Sequence, residues 1–249
     1  MALRIATWNV QRPSKSGPLN ELRLRLITAE AGYGIFPDIW ILTETRNVID
    51  PGEGWYSLSS FPIPGYHQDG ETLVTIWSRW AIKPVSVTRF TACAEISLPG
   101  LGNSLIYGTV IPWDKDKGPC GKEGLARWEE HRRQVNSQTA EWVTLGESYP
   151  DHFQCVAGDF NQHRGTLGSY RDQLSVQVVS RALEAMSLQC VTVDPPGHEN
   201  WTKPLVDHVC ISRKFAAGAK VTVFPFDKEP IGGLSDHHLV VVDVDGITV

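Results

Sequence analysis

The chain has 249 residues, 41% of them hydrophobic and 20% charged, with a formal net charge of −5 at pH 7. This is the composition of an ordinary globular protein with enough apolar residues for a sizeable core. The negative charge argues against a general nucleic-acid coat protein, whose affinity rests on excess Lys and Arg. A nuclease stays open, because a local basic rim and a bound cation offset phosphate charge.

Met1–Val10 lacks the charged and apolar regions of a signal peptide, and no apolar run approaches the roughly 18 residues of a membrane helix. No membrane partner is therefore expected. Cys93, Cys120, Cys155, Cys190 and Cys210 are odd in number and widely spaced. They read as buried thiols in a reducing, cytoplasmic setting, since a zinc site would want close Cys/His pairs.

Runs rich in β-branched and aromatic residues predict strands at Leu3–Val10, Asp38–Thr43, Thr72–Trp77, Lys83–Arg89, Ala92–Leu98, Ser104–Ile111, Phe153–Ala157, Gln189–Val193, Val206–Ser212, Lys220–Phe224 and Leu239–Val244. Leu19, Leu22, Leu26, Ala29 and Tyr33 recur at helical spacing and stop at Gly32/Gly34. Leu125, Trp128, Val135, Trp142 and Leu145 form a second helical stripe ending at Gly146, with Glu129–Arg133 as an i,i+4 pair on its solvated face. A third helix is expected over Ser175–Met186. The loosest stretches are Pro112–Gly124 and Asp194–Pro204, the length of functional surface loops. No linker divides the chain, so it reads as a single domain, 1–249. Many strands and few helices predict an α/β fold of two packed sheets with helices outside.

The chemistry-bearing residues sit at strand ends and starts. Asn9, Glu44, Asp159 and Asn161 follow strands, whereas Asp207 and Asp236–His237 precede them. Between antiparallel neighbours the end of one strand lies beside the start of the next, so these residues can share one rim. A hard cation such as Mg2+ prefers carboxylate and amide oxygens and neutralises phosphate charge; Asn9, Glu44 and Asp236 offer that ligand set. His237 can donate to a phosphate or exchange a proton if Asp207 holds its ring. Asp159 is the candidate to activate water, and Asn161 to donate to the developing charge.

Thr7–Val10, Leu42–Thr45, Gly158–Asn161, Val206–His208 and Ser235–His238 together resemble the ordered motifs of the endonuclease/exonuclease/phosphatase superfamily. Each box alone is weak, but the five in order span residues 7 to 238. The resemblance implies a four-layered α/β sandwich of two mixed sheets and Mg2+-dependent cleavage of a phosphate ester, with Mn2+ a possible substitute. It also implies the roles given above for Asn9, Glu44, Asp159, Asn161, Asp207, Asp236 and His237.

One departure stands out. Many members carry Tyr or His on the strand before the long central helix, where it touches the phosphate. Here the nearest equivalents in Ile106–Trp113 are Thr109 and Val110, and Thr109 offers one hydrogen bond but no general acid. Strand alternation turns His208 away from Asp207, and the apolar run after His238 turns that ring away from His237. Trp113 and Trp201, in loops beside site segments, are placed to stack on a flat group; His163 and Arg164, just after Asn161, are within reach of substrate. The expected function is phosphodiester hydrolysis, with nucleic acid as the leading substrate. A phosphatase or phosphodiesterase acting on a small-molecule or lipid phosphate, or a phosphate-binding module without turnover, is the alternative.

Overall fold

The computed structural model describes residues 2–28, 35–118, 124–165 and 170–245. In chain order the elements are β1 (Leu3–Asn9), α1 (Pro18–Ile27), β2 (Ile39–Arg46), β3 (Tyr56–Ser59), β4 (Glu71–Ser78), β5 (Ile82–Val87), β6 (Thr91–Leu98), β7 (Gly102–Val110), α2 (Glu129–Ser148), β8 (Phe153–Asp159), α3 (Gln173–Ala185), β9 (Leu188–Cys190), β10 (Asp207–Ser212), α4 (Arg213–Ala216), β11 (Lys220–Phe224) and β12 (Leu239–Val244). They form two six-stranded sheets, ordered β11-β12-β1-β2-β4-β3 and β5-β6-β7-β8-β10-β9. Both sheets are mixed, with β1 parallel to β2 and β7 parallel to β8.

Alternation along the strands explains the layers. Ile5, Ile39, Ile41, Val74, Ile76, Ala94, Ile106, Ala157, Val209 and Val242 point between the sheets and form the central core. The opposite faces carry Trp8, Trp40 and Leu42 under Leu26 and Ile27 of α1, and Leu105, Val156 and Cys210 under Val135, Trp142, Val179 and Leu183 of α2 and α3. The result is the four-layered α/β sandwich expected from the sequence. Asp172 caps α3 by accepting from the Ser175 amide at 2.9 Å and pairs with Arg132 of α2 at 2.6 Å, which locks the two outer helices together.

Three elements differ from the sequence reading. β3 was not anticipated: Tyr-Ser-Leu-Ser is polar and largely exposed at a sheet edge, so it lacks an apolar signature. Helix α2 runs through Gly146 to Ser148, because Gly146 packs against Met186 rather than ending the helix. In α1 the first apolar positions, Leu19 and Leu22, are exposed while Leu26 and Ile27 are buried. Ala29, Gly32, Tyr33, Gly34 and Cys120 lie outside the described residues. The other four cysteines are free thiols, Cys93, Cys155 and Cys210 buried and Cys190 half-buried. Among the described residues no helix is long and apolar enough to cross a membrane.

Candidate active site

Strand register brings the scattered polar residues together. In the antiparallel pairing of β8 with β10, Asp159 lies directly opposite Asp207. In the other sheet, β1 ends at Asn9 beside Thr43, which places Glu44 next along β2. β12 runs antiparallel to β1, so the residues just before it, Asp236 and His237, arrive at the same rim. Ser235 fixes that approach by donating to the Asn9 carbonyl at 2.6 Å while accepting from the His237 amide at 3.1 Å. The rim surrounds a cavity of about 640 Å³, lined by Asn9, Glu44, Asn161, Asp207, Asp236 and His237 among others.

Asp159 is fully buried beneath this cavity. Its Oδ2 accepts from Asn9 Nδ2 at 3.1 Å and Asn161 Nδ2 at 3.0 Å, and its Oδ1 from the Asn161 amide at 2.8 Å. Burial drives its pKa up to about 7, helped by the negative charges of Asp207 and Glu44 and opposed by the His237 cation. His237 Nδ1 lies 2.7 Å from Asp207 Oδ2. With a carboxylate oxygen as the acceptor, the ring donates there and presents Nε2 elsewhere. Burial would lower the His237 pKa, yet Asp207, Asp159 and Asp236 together outweigh it and raise the value to about 10. A carboxylate pushed toward neutral pH thus sits beside an imidazole whose cationic form is favoured. One ligand atom from each of Asp159, Asp207 and His237 falls within 4.8 Å of the others, so this trio can also approach a metal ion.

The backbone around these groups is unusual. Gly158 has φ +137°, and a Cβ there would stand 2.0 Å from the Thr109 carbonyl. Only glycine lets β8 approach β7 so closely just before Asp159. Glu44 and Asn161 both adopt φ 48°. The left-handed region is tolerable for Asn but costly for Glu, and such strain concentrates at functional positions.

The rim is looser and more polar. Arg12 lies 3.6 Å from Glu44 and stacks over the Tyr66 ring at 4.1 Å. Lys203 Nζ is 3.4 Å from Asp236 Oδ2. Trp113, 48% exposed, stands on the wall shared with a smaller, mainly apolar pocket lined by Ile63, Tyr66, Leu73, Phe90 and Val110. Tyr170 also faces the main cavity. Its hydroxyl donates to Asp114 Oδ1 at 3.1 Å, and burial raises its pKa, which keeps the phenol protonated.

Arg12, Tyr66, Tyr170 and Lys203 were not anticipated; they come from loops, and no motif in the sequence marks them. Four anticipated contacts lie elsewhere. Thr109 is fully buried, with its hydroxyl on the Gln138 side chain of α2, because its strand position points away from the cavity. His163 is buried with Nδ1 on the Leu205 carbonyl, and Trp201 packs on His238 at 4.7 Å; both line a separate cavity. Arg164 turns to Ser180 on α3. Asn161 is at the rim, but its Nδ2 already donates to Asp159 and to the Ile111 carbonyl at 2.9 Å. Both its amide hydrogens are committed to these protein acceptors. His208 bonds Thr192 and the Gln162 carbonyl in the interior, and His238 bonds the Lys203 carbonyl.

Comparison with solved structures defines the fold. The 3′ phosphatase NExo from Neisseria, solved bound to a product DNA hairpin, superposes with TM-score 0.69 at 17% identity over 98% of this chain and 100% of that one. The endonuclease domain of TRAS1, a telomere-specific non-LTR retrotransposon, gives TM-score 0.67 at 14% identity over 99% of each chain. An AP endonuclease from Archaeoglobus fulgidus gives 0.67 at 16%, covering 98% and 99%. The chain has the endonuclease/exonuclease/phosphatase fold. No protein-family model matches its sequence, and no curated protein matches it either. Within this fold the cavity lies at one rim of the sandwich, where both sheets deliver acidic strand ends.

Proposed function

We propose that the chain is a divalent-metal-dependent phosphodiester hydrolase acting on nucleic acid. The observation that carries this reading is the fully buried Asp159, held by Asn9 and Asn161, beside the Asp207–His237 pair under an open cavity. A carboxylate poised near neutral pH next to a protonated imidazole is an acid–base arrangement, since the two environments push the pKa values apart.

Asp159 accepts the proton of an attacking water, and Asn9 and Asn161 aim its oxygens. His237 donates from Nε2 to a phosphate oxygen as charge develops, with Asp207 fixing the ring and balancing its charge. The residues fit a hard cation: Glu44, Asp236 and the Asn9 amide oxygen, which also accepts from the Gln11 amide, are oxygen donors lining the cavity, and the buried Asp207 Oδ1 has no hydrogen-bond partner among the described residues. Mg2+, or Mn2+ in its place, is assigned to Glu44, Asp236 and Asn9, because His237 Nδ1 is already committed to Asp207. Held there by these residues, such a cation would supply charge neutralisation at the phosphate and polarisation of the ester. Tyr170 does not replace the general acid that the Thr109–Val110 segment lacks, because its one hydroxyl hydrogen is already on Asp114 Oδ1, so protonation of the leaving group falls to water.

Arg12 and Lys203 on the rim suit flanking phosphates, and Trp113 and Tyr66 suit a stacked base. That pairing of charge with flat apolar surface favours a nucleic acid over a bare sugar phosphate. The net charge of −5 favours a compact phosphate ester instead and keeps a small-molecule phosphatase as the second reading. A panel of single-stranded, double-stranded and abasic DNA, RNA, and soluble sugar and inositol phosphates, assayed with Mg2+ in one buffer, separates them. The nucleic-acid reading expects turnover of a DNA or RNA substrate with affinity falling steeply as salt rises. Turnover of the small esters alone contradicts it.

A further inference from the structure

Cys190 and Cys210 stand directly opposite each other, Cys190 at the end of the edge strand β9 and Cys210 within β10. The Val191 amide donates to the Val209 carbonyl at 3.0 Å, and the Arg213 amide to the Ser187 carbonyl at 2.8 Å. Hydrogen-bonded and non-bonded pairs alternate along an antiparallel ladder, so these two bonds put the cysteines at a non-bonded position. There the Cα atoms are about 4.5 Å apart and the side chains closest. A disulfide needs Cα atoms ~4.4–6.8 Å apart, so the backbone already has the spacing of a bridge. Both side chains face the α2/α3 layer. Cys93 lies in the same row of that face, but Tyr107 and Val156 stand between it and Cys210. Cys155 faces the other way, into the central core.

Cys190 also has a route for losing its proton. Its Sγ lies 3.5 Å from Thr192 Oγ1, which in turn lies 3.0 Å from His208 Nδ1. His208 Nε2 donates to the Gln162 carbonyl at 3.1 Å, so in the neutral ring Nδ1 is an acceptor. The Thr192 hydroxyl therefore donates to the ring, and its oxygen accepts from the Val209 amide at 3.1 Å and from the Cys190 thiol. A thiol proton can pass through this hydroxyl to the imidazole. Thr192, His208 and Cys210 are buried, while Cys190, on the sheet edge, is half-buried. The Cys190 pKa is held well below that of an ordinary thiol by the hydrogen bond from Cys210 and, against burial, by His208 and Arg164. Cys210 is pushed the other way, first by burial and then by Cys190. One thiol of the pair is set to ionise and the other to stay protonated.

We propose that Cys190 and Cys210 form a hydroperoxide-sensitive dithiol, in which Cys190 attacks, Cys210 resolves, and Thr192 and His208 carry the Cys190 proton away. The Cys190 thiolate attacks one peroxide oxygen and the O–O bond breaks. Cys190 becomes a sulfenic acid, and the other oxygen leaves as water with the proton held by His208. The Cys210 sulfur then attacks the Cys190 sulfur, and the S–O bond breaks. The departing hydroxide takes the Cys210 proton as a second water. Both thiols are oxidised to one disulfide, and one hydroperoxide is reduced. The bridge ties the last residue of β9 to the strand that begins at Asp207. It closes residues 191–209, which carry Trp201, Lys203 and Asp207, into one covalent loop. Spacing alone does not announce the pair, because the two cysteines meet only through the register of β9 against β10.

The test is treatment of the full chain with hydrogen peroxide, followed by alkylation of the remaining thiols and peptide mass spectrometry without reductant. Wild type is expected to yield one linked pair, Cys190 with Cys210, that dithiothreitol releases. Cys210→Ser should stop at the sulfenic acid, trapped by dimedone on Cys190. Cys190→Ser should give no dimedone adduct on Cys210. Thr192→Val should slow the peroxide reaction ~10-fold at neutral pH, because the thiolate and not the thiol is the nucleophile. It should also move the pH midpoint of Cys190 alkylation up toward the ~8.5 of a free cysteine, a change that a merely structural threonine would not produce. Circular dichroism confirms that each variant is folded. A folded wild type whose pair stays reduced under peroxide overturns the proposal, as does a bridge from Cys190 to any other cysteine. So does an unchanged alkylation profile in folded Thr192→Val.

Discussion

The floor and the rim of the main cavity are built on different physical terms. On the floor, Asp159 is fully buried, takes three hydrogen bonds from Asn9 and Asn161, and faces an Asp207–His237 pair closed to 2.7 Å. On the rim, Arg12–Glu44 and Lys203–Asp236 stand at 3.6 and 3.4 Å with partly or half exposed side chains, and Trp113 leans into solvent. Ion pairs of the second kind are worth little and are easily exchanged for a ligand. The floor is preorganised for one kind of proton transfer; the rim is free to turn its charges toward whatever enters. Loss of floor residues should therefore strike turnover, and loss of rim residues should strike binding.

The largest effect should come from the floor. Asp159→Asn and His237→Ala are each expected to lower kcat by at least ~10²-fold with little change in KM, the scale of losing an acid–base or charge-stabilising group. An equal rise of KM with kcat intact would erase the distinction between the two regions. Gly158→Ala tests the frame beneath. Its new Cβ meets backbone rather than a flexible side chain, so urea unfolding should show a loss at or above the upper end of the ~0.5–3 kcal/mol typical of single substitutions.

On the rim, Trp113→Ala should weaken nucleic-acid binding by ~1–3 kcal/mol, the worth of one stacked base. Tyr170→Phe removes the hydrogen bond to Asp114, worth about 1 kcal/mol of stability in urea unfolding, and should leave kcat near that of wild type. Arg12→Ala and Lys203→Ala should raise KM a few-fold and flatten its dependence on salt. The pH profile of kcat/KM sharpens the picture further. Asp159 works as the ionised base, so activity rises through about pH 7; His237 works as the cation, so activity falls through about pH 10. His237→Ala should remove the alkaline limb and move the acidic one to higher pH, because the cation that holds the Asp159 pKa down is gone.

The same contrast governs what was readable in the sequence. Strands of the floor are apolar runs that end in Asn, Glu or Asp; period-2 alternation put Asp207 and His208 on opposite faces, the resemblance to the superfamily motifs chose Asp207, and many strands with few helices implied two packed sheets. Those signals are local. Thr109 failed as a substrate contact because its side chain faces α2 and meets Gln138, and a lone Thr in an apolar strand does not say which face it takes. Trp201 and His163 failed because the segment 194–205 folds over the neighbouring cavity. Tyr66, Tyr170, Arg12 and Lys203 reach the rim from loops whose positions follow from tertiary packing, so no periodicity or spacing announces them.

The central claim is that the Asp159–His237 floor cleaves a phosphodiester. Steady-state hydrolysis of bis(p-nitrophenyl) phosphate, with and without Mg2+ or Mn2+, tests it most directly when wild type and Asp159→Asn are run side by side. The account predicts metal-stimulated turnover in wild type and a drop of at least ~10²-fold in the variant. Turnover that ignores the metal or survives intact in Asp159→Asn would contradict it, as would no turnover of any diester by folded wild type.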